Sequence, residues 1–102
     1  MININLDTKY NVDFTSNFKK QYKKIVKKSE DVDKFIVVLE KIANGKKLEE
    51  KYKDHLLIND KYYKDCRECH IKPDLLLVYQ YQKEKNVLFL VGIGSHSEIF
   101  KE

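Results

Sequence analysis

The sequence predicts an α+β fold, a helical hairpin packed on a mostly antiparallel sheet, in the order β-α-α-β-β-β. Three observations carry this. Apolar residues recur at helical spacing through residues 15–43, the period switches to that of strands after residue 65, and Asn44-Gly45 and Lys72-Pro73-Asp74 punctuate the chain with turn chemistry. A chain of 102 residues that is 42% hydrophobic, with only three Gly and one Pro, is expected to fold as one domain over 1–102 with a true core.

Ile2, Ile4 and Leu6 alternate with polar residues, as a short strand or a loose leader would. Residues 11–14 read as a short strand running into a helix capped by Thr15 or Ser16. Phe18, Tyr22, Ile25 and Val26 form its apolar stripe, with Lys19, Lys20, Lys23, Lys24, Lys27 and Lys28 outside. Ser29 or Asp31 is expected to cap a second helix, whose stripe is Val32, Phe35, Ile36, Leu39, Ile42 and Ala43. Asn44-Gly45, tolerant of left-handed backbone, ends it. Residues 46–64 are polar and irregular, anchored by Leu48 and Leu57. Residues 66–71 read as a strand, and Lys72-Pro73-Asp74 as a turn. Residues 75–82, LLLVYQYQ, begin apolar on both faces, as a central strand does. Residues 83–86 make a hairpin loop, 87–93 a further strand, and 94–100 a polar tail closing on Phe100.

The formal net charge is +4, and all but one of the 20 basic residues are lysines, Arg67 being the exception. This balance suits a nucleic-acid partner or a solvated lysine-rich surface. No run of 18 apolar residues is long enough to cross a membrane, and the first residues lack the charged start and apolar block of a secretion signal. A cytoplasmic protein with reduced cysteines and no membrane partner is the expectation.

Residues 66–70 spell CRECH, and C-x-x-C-H is the attachment signature of a c-type haem. On a strand, however, Cys66, Glu68 and His70 share one face and Arg67, Cys69 and Ile71 the other. Cysteines on opposite faces disfavour a shared haem, a shared zinc and a disulfide, and a closed zinc site needs four ligands. The cysteines are therefore read as small buried residues, and no metal is assigned. The three histidines, His55, His70 and His96, all fall in the C-terminal half at loops or strand ends. One such histidine alone is ordinarily a surface or hydrogen-bonded residue. Three, with Glu68 on the face of His70 and Asp74 past a turn, supply the groups that move protons near neutral pH.

The segments KDHLL, RECHIKPDLLLVYQ and GSHSEIF, in this order over residues 52–100, resemble the YafQ branch of the RelE-like toxins of bacterial toxin–antitoxin systems. That resemblance implies a RelE-like fold of two helices on a curved sheet with the site on the concave face. It implies a small, ribosome-dependent mRNA endonuclease that needs no cofactor and is neutralised by a cognate antitoxin protein. Matched motif by motif, it makes His55, His70, Asp74 and His96 catalytic. His96 would do acid–base work with Asp74 as counterpart, and His55 and His70 would hold the phosphate or share the proton transfer. Phe100 would stack on an mRNA base or plug the core, and Glu68, Arg67, Lys64 and Lys53 would lie along the RNA. The lysines of the first helix, with Lys46, Lys47, Lys51 and Lys53, would face ribosomal RNA or the antitoxin. Three departures stand out. Gly92 occupies a position where the family often has arginine, a role left to Lys64 or Arg67. Leu56 replaces a proline, and the stretch between His55 and His70 is longer by a couple of residues. Gly92 leaves open a second reading, a toxin fold that binds antitoxin or ribosome but cuts weakly or not at all. A small metal protein using the cysteines and histidines is a third.

Overall fold

A computed structural model describes residues 7–100; the alternating segment Met1–Leu6 lies outside the described residues. The elements run β1 (Asn11–Phe14), α1 (Ser16–Ile25), α2 (Ser29–Ala43), β2 (His55–Leu56), β3 (Arg67–Lys72), β4 (Leu75–Gln82), β5 (Val87–Gly94) and α3 (His96–Phe100). The sheet order is β1-β5-β4-β3-β2. β1 pairs parallel to β5, and every other pairing is antiparallel. The architecture is the expected α+β one, extended by a two-residue strand, β2, and by a terminal helical turn, α3, where a polar tail was expected.

Thr15 caps α1, its hydroxyl accepting from the Phe18 N–H at 3.0 Å and donating to the Val91 carbonyl at 2.9 Å. The helix start is thus bonded to β5. Phe18 and Ile25 are buried, whereas Val26, expected on the stripe, is 48% exposed because α1 stops at Ile25. The cap of α2 is Lys28 in extended conformation with no side-chain bond, one residue ahead of the expected Ser29. Asp31, the other expected cap, is buried instead and pairs with Lys72 of β3 at 2.9 Å, tying α2 to the sheet. The helix ends at Asn44, with Gly45 at φ 71°.

β4 is central and divides the apolar residues between two faces. Leu75, Leu77 and Tyr79 join Cys69, Ile71, Phe18, Phe35, Val38, Leu39 and Ile42 in the main core under the helices. Leu76 and Val78 pack with Cys66 and Ile99 on the other face. The cysteines diverge as strand alternation requires. Between Leu90 and Gly92 the register shifts by one, so Val91 is a bulge. A bulge turns the downstream side chains onto the opposite face. Leu90 and Ile93, three apart, therefore both reach the main core, and Gly92 and Gly94 fall on the face of Val78 and Leu76.

Candidate active site

The face away from the helices gathers two groups of functional side chains. In the first, His55 opens β2 directly across the ladder from Glu68. Its Nδ1 lies 2.8 Å from the Lys53 carbonyl oxygen. A carbonyl only accepts, so Nδ1 carries a proton and Nε2 is the position that can gain or lose one. That Nε2 is 3.9 Å from Glu68 Oε1, and the Nε2 of His70, two residues along β3, is 3.6 Å from the same oxygen. Both exceed a good hydrogen bond, and they become ion pairs only when an imidazole is protonated. The Glu68 side chain is only 7% exposed, against 51% for His55 and 27% for His70. Protonating either imidazole would set a positive charge beside this buried carboxyl. The acid expected beside the site is its pivot.

β2 is short, and side chains hold it. Tyr79 Oη, deep in the core, donates to Asp54 Oδ1 at 2.6 Å, and Arg67 donates to both Asp54 oxygens at 3.3 Å. Burial, and then Asp54, push the Tyr79 phenol far above its ordinary range. The residue before His55 is thus bonded to both β3 and β4. Arg67, expected on the RNA, is committed to Asp54, because alternation turns it away from Glu68 and His70. Lys53 is exposed, in left-handed conformation at φ 49°. Lys64 is exposed too, and its carbonyl accepts from Gln80 at 3.1 Å.

The second group is built by α3. The Ser95 N–H donates to Glu98 Oε1 at 2.9 Å and the Glu98 N–H donates to Ser95 Oγ at 3.2 Å, a reciprocal capping box. Lys24 of α1 holds the other Glu98 oxygen at 3.2 Å. The Ser95 backbone and hydroxyl, with Lys24, keep the Glu98 carboxyl below its ordinary range. Gly94 is essential to this turn: its φ is +153°, and a Cβ there would meet Glu98 Oε1 at 3.0 Å. The box sets His96 at the first position of α3, its ring 4.7 Å from that of Phe100. Phe100 meets Tyr63 edge-on at 5.5 Å, and Tyr63 Oη donates to the Ile99 carbonyl at 2.8 Å. Phe100 is half-buried against the smaller cluster, as the plug reading expects. Asp74 is exposed at the β3–β4 turn. Since Leu76 pairs with Gly94, Asp74 lies at the end of the sheet from which α3 leaves.

Gly92, where the resemblance led to an expected arginine, is buried. A Cβ there would meet Gln21 Oε1 at 3.2 Å, and that oxygen accepts the Ile93 N–H at 2.9 Å. The cysteine chemistry is closed: burial pushes the Cys66 thiol up to about 11 and the Cys69 thiol higher still. Among the described residues no group of three or more His, Cys, Asp or Glu side chains is placed to hold a metal ion. Sequence reasoning missed the Asp54–Arg67–Tyr79 tie and Tyr63, whose partners lie far along the chain. The capping box was visible as Ser95-x-x-Glu98.

This fold and side-chain set belong to a class of small bacterial toxins. A family model for the bacterial toxin YafQ of type II toxin–antitoxin systems matches residues 10–101. A Haemophilus influenzae protein named as a candidate YafQ toxin is 33% identical over 92 residues, spanning 85% of this chain and 88% of its own. A metal-bound toxin from Helicobacter pylori superposes with a TM-score of 0.79 at 46% identity, over 89% of this chain and 99% of that one. The E. coli DinJ–YafQ toxin–antitoxin complex matches with a TM-score of 0.76 at 25% identity, over 90% and 98%. The chain belongs to the YafQ toxin family.

Proposed function

We propose that this chain is a ribosome-dependent mRNA endonuclease acting in the cytoplasm as one toxin domain. The observation that supports it most is the convergence of His55 and His70 on the buried Glu68, on a surface that also holds His96 and Phe100. The strand is cut by its own 2′-OH. A base takes the 2′ proton, O2′ attacks the adjacent phosphorus, the P–O5′ bond breaks, and an acid protonates the departing 5′ oxygen. His96 does acid–base work with Asp74 as its counterpart. His55 and His70, kept in place by Glu68, hold the phosphate as charge develops and share the proton transfer. Phe100 stacks on a base, and Lys53 and Lys64 meet the backbone. Arg67 acts on the RNA only through its hold on Asp54. No step needs a metal.

A cognate antitoxin neutralises the chain, as the E. coli relative solved with DinJ suggests. A non-cutting binder of the same fold is the second reading, supported by Gly92. End-group analysis of mRNA cut during translation tests the chemistry. The proposed route leaves a 2′,3′-cyclic phosphate and a 5′-hydroxyl. A 5′-phosphate with a 3′-hydroxyl would mean attack by water instead and would overturn it.

A further inference from the structure

Beside the catalytic face lies a cleft that shares Phe100 with the proposed chemistry and otherwise lies outside it. It has a volume of about 790 Å³ and is lined by Asn17, Asn59, Lys61, Tyr62, Tyr63 and Phe100, among others. Small-ligand clefts fall in the range of roughly 300–1,000 Å³. One wall is Phe100, whose opposite neighbour is the His96 ring at 4.7 Å, and Tyr63 locks this wall through its edge-on contact and its bond to the Ile99 carbonyl. The loop of residues 59–63, Asp60 included, also lines the cleft and presents Tyr62, 89% exposed. The loop is no loose excursion: Asn59 turns it at φ 60°, and Asp60 Oδ1 accepts from the Tyr62 and Tyr63 N–H groups, both at 2.9 Å. A pinned turn that holds a large aromatic ring in water is set up to gain by covering it. The amides of Asn17 and Asn59 supply donors and acceptors at the rim, and Lys61 a positive charge.

We infer that this cleft is a nucleobase subsite, taking an unpaired base of the mRNA between the Tyr62 ring and the Phe100 wall, next to the nucleotide being cut. The inference rests on the proposed function and deepens it. Phe100 both lines the cleft and meets the His96 ring, so cleft and catalytic face share a residue, which favours RNA over a protein segment. Aromatic platforms take unpaired bases because every base has a π-face.

The test uses a short single-stranded RNA made uncleavable by 2′-O-methylation, so it reads binding whether or not the chain cuts. Stacking on an exposed ring is worth about 5- to 150-fold in affinity by alanine substitution. Tyr62→Ala is expected to weaken binding about 10-fold and Tyr62→Phe to leave it nearly unchanged. Removing one base from the RNA should cost the intact chain the same factor and cost Tyr62→Ala nothing more. Equal binding by the intact chain and Tyr62→Ala overturns the inference. So does a Tyr62→Ala chain weakened only toward its antitoxin, which would make the cleft a protein-docking surface. Failure of the intact chain to cut mRNA would count against the proposed function and leave this binding result readable by itself.

Discussion

At the scale of single residues, Glu68 is the centre of the account. It is a nearly buried carboxylate with one oxygen facing two imidazoles. Glu68→Gln keeps the shape and removes the charge. The folded structure should survive, and cleavage should fall by about 100-fold, the low end of the range for proton transfer by a positioned side chain, as a quantitative cleavage assay would show. Gly92 is the opposite case, a group that is missing. A Cβ at the buried Gly92 would press on Gln21 Oε1, which accepts the Ile93 N–H, so Gly92→Arg has to displace that bond for its guanidinium to reach the surface. Cleavage should then rise, because a guanidinium gains a place on the phosphate; unchanged rates in the same assay would mean that position 92 does not face the RNA. Alternation along β3 was enough to see that Cys66 and Cys69 diverge and that Glu68 and His70 share a face. Nothing local told that His55 joins them, since its register across from Glu68 depends on a strand of two residues.

At the scale of elements, side chains stabilise the two pieces that deliver histidines. β2 depends on Asp54, and Asp54 on Tyr79 and Arg67. Tyr79→Phe removes the 2.6 Å bond and should cost about 1.5–3 kcal/mol in chemical unfolding, as hydrogen bonds to charged groups do. It should also lower the turnover rate more than it weakens RNA binding, because His55 loses its fixed approach while the contact surface remains. α3 depends on the capping box. Its Glu98 is held below the ordinary carboxyl value of 4.5, so its contribution is fully present above that value and is lost as pH falls through the lower folded one. An acid titration followed by the His96 and Phe100 ring resonances should show α3 loosening there, with no such transition in Glu98→Gln. The helix stripes, the central strand and the turns were legible because period and turn chemistry are local. β2 was not, because a two-residue strand has no period. α3 looked like a polar tail by composition, although Ser95-x-x-Glu98 announced a helix start.

At the scale of the whole molecule, a sheet with apolar residues on both faces separates two tasks. One face packs on the helices and supplies the main core, and the other keeps a small cluster around Cys66, Leu76, Val78 and Ile99 and is otherwise available for chemistry. The Asp31–Lys72 pair ties α2 to β3, Asp54 ties the start of β2 to β3 and β4, and the capping box fixes α3 on the end of β5. Preorganisation of that kind lets small side chains act on a phosphate without rearrangement. The YafQ family match fixes what kind of toxin this is; the cutting mechanism is the central claim. It is tested most directly by primer extension on a reporter mRNA in a translating extract, comparing the intact chain with His96→Ala. Cuts within codons that require translation and vanish in the variant are the expected result. Cuts that persist undiminished in His96→Ala, or translation arrest without any cut, would contradict it.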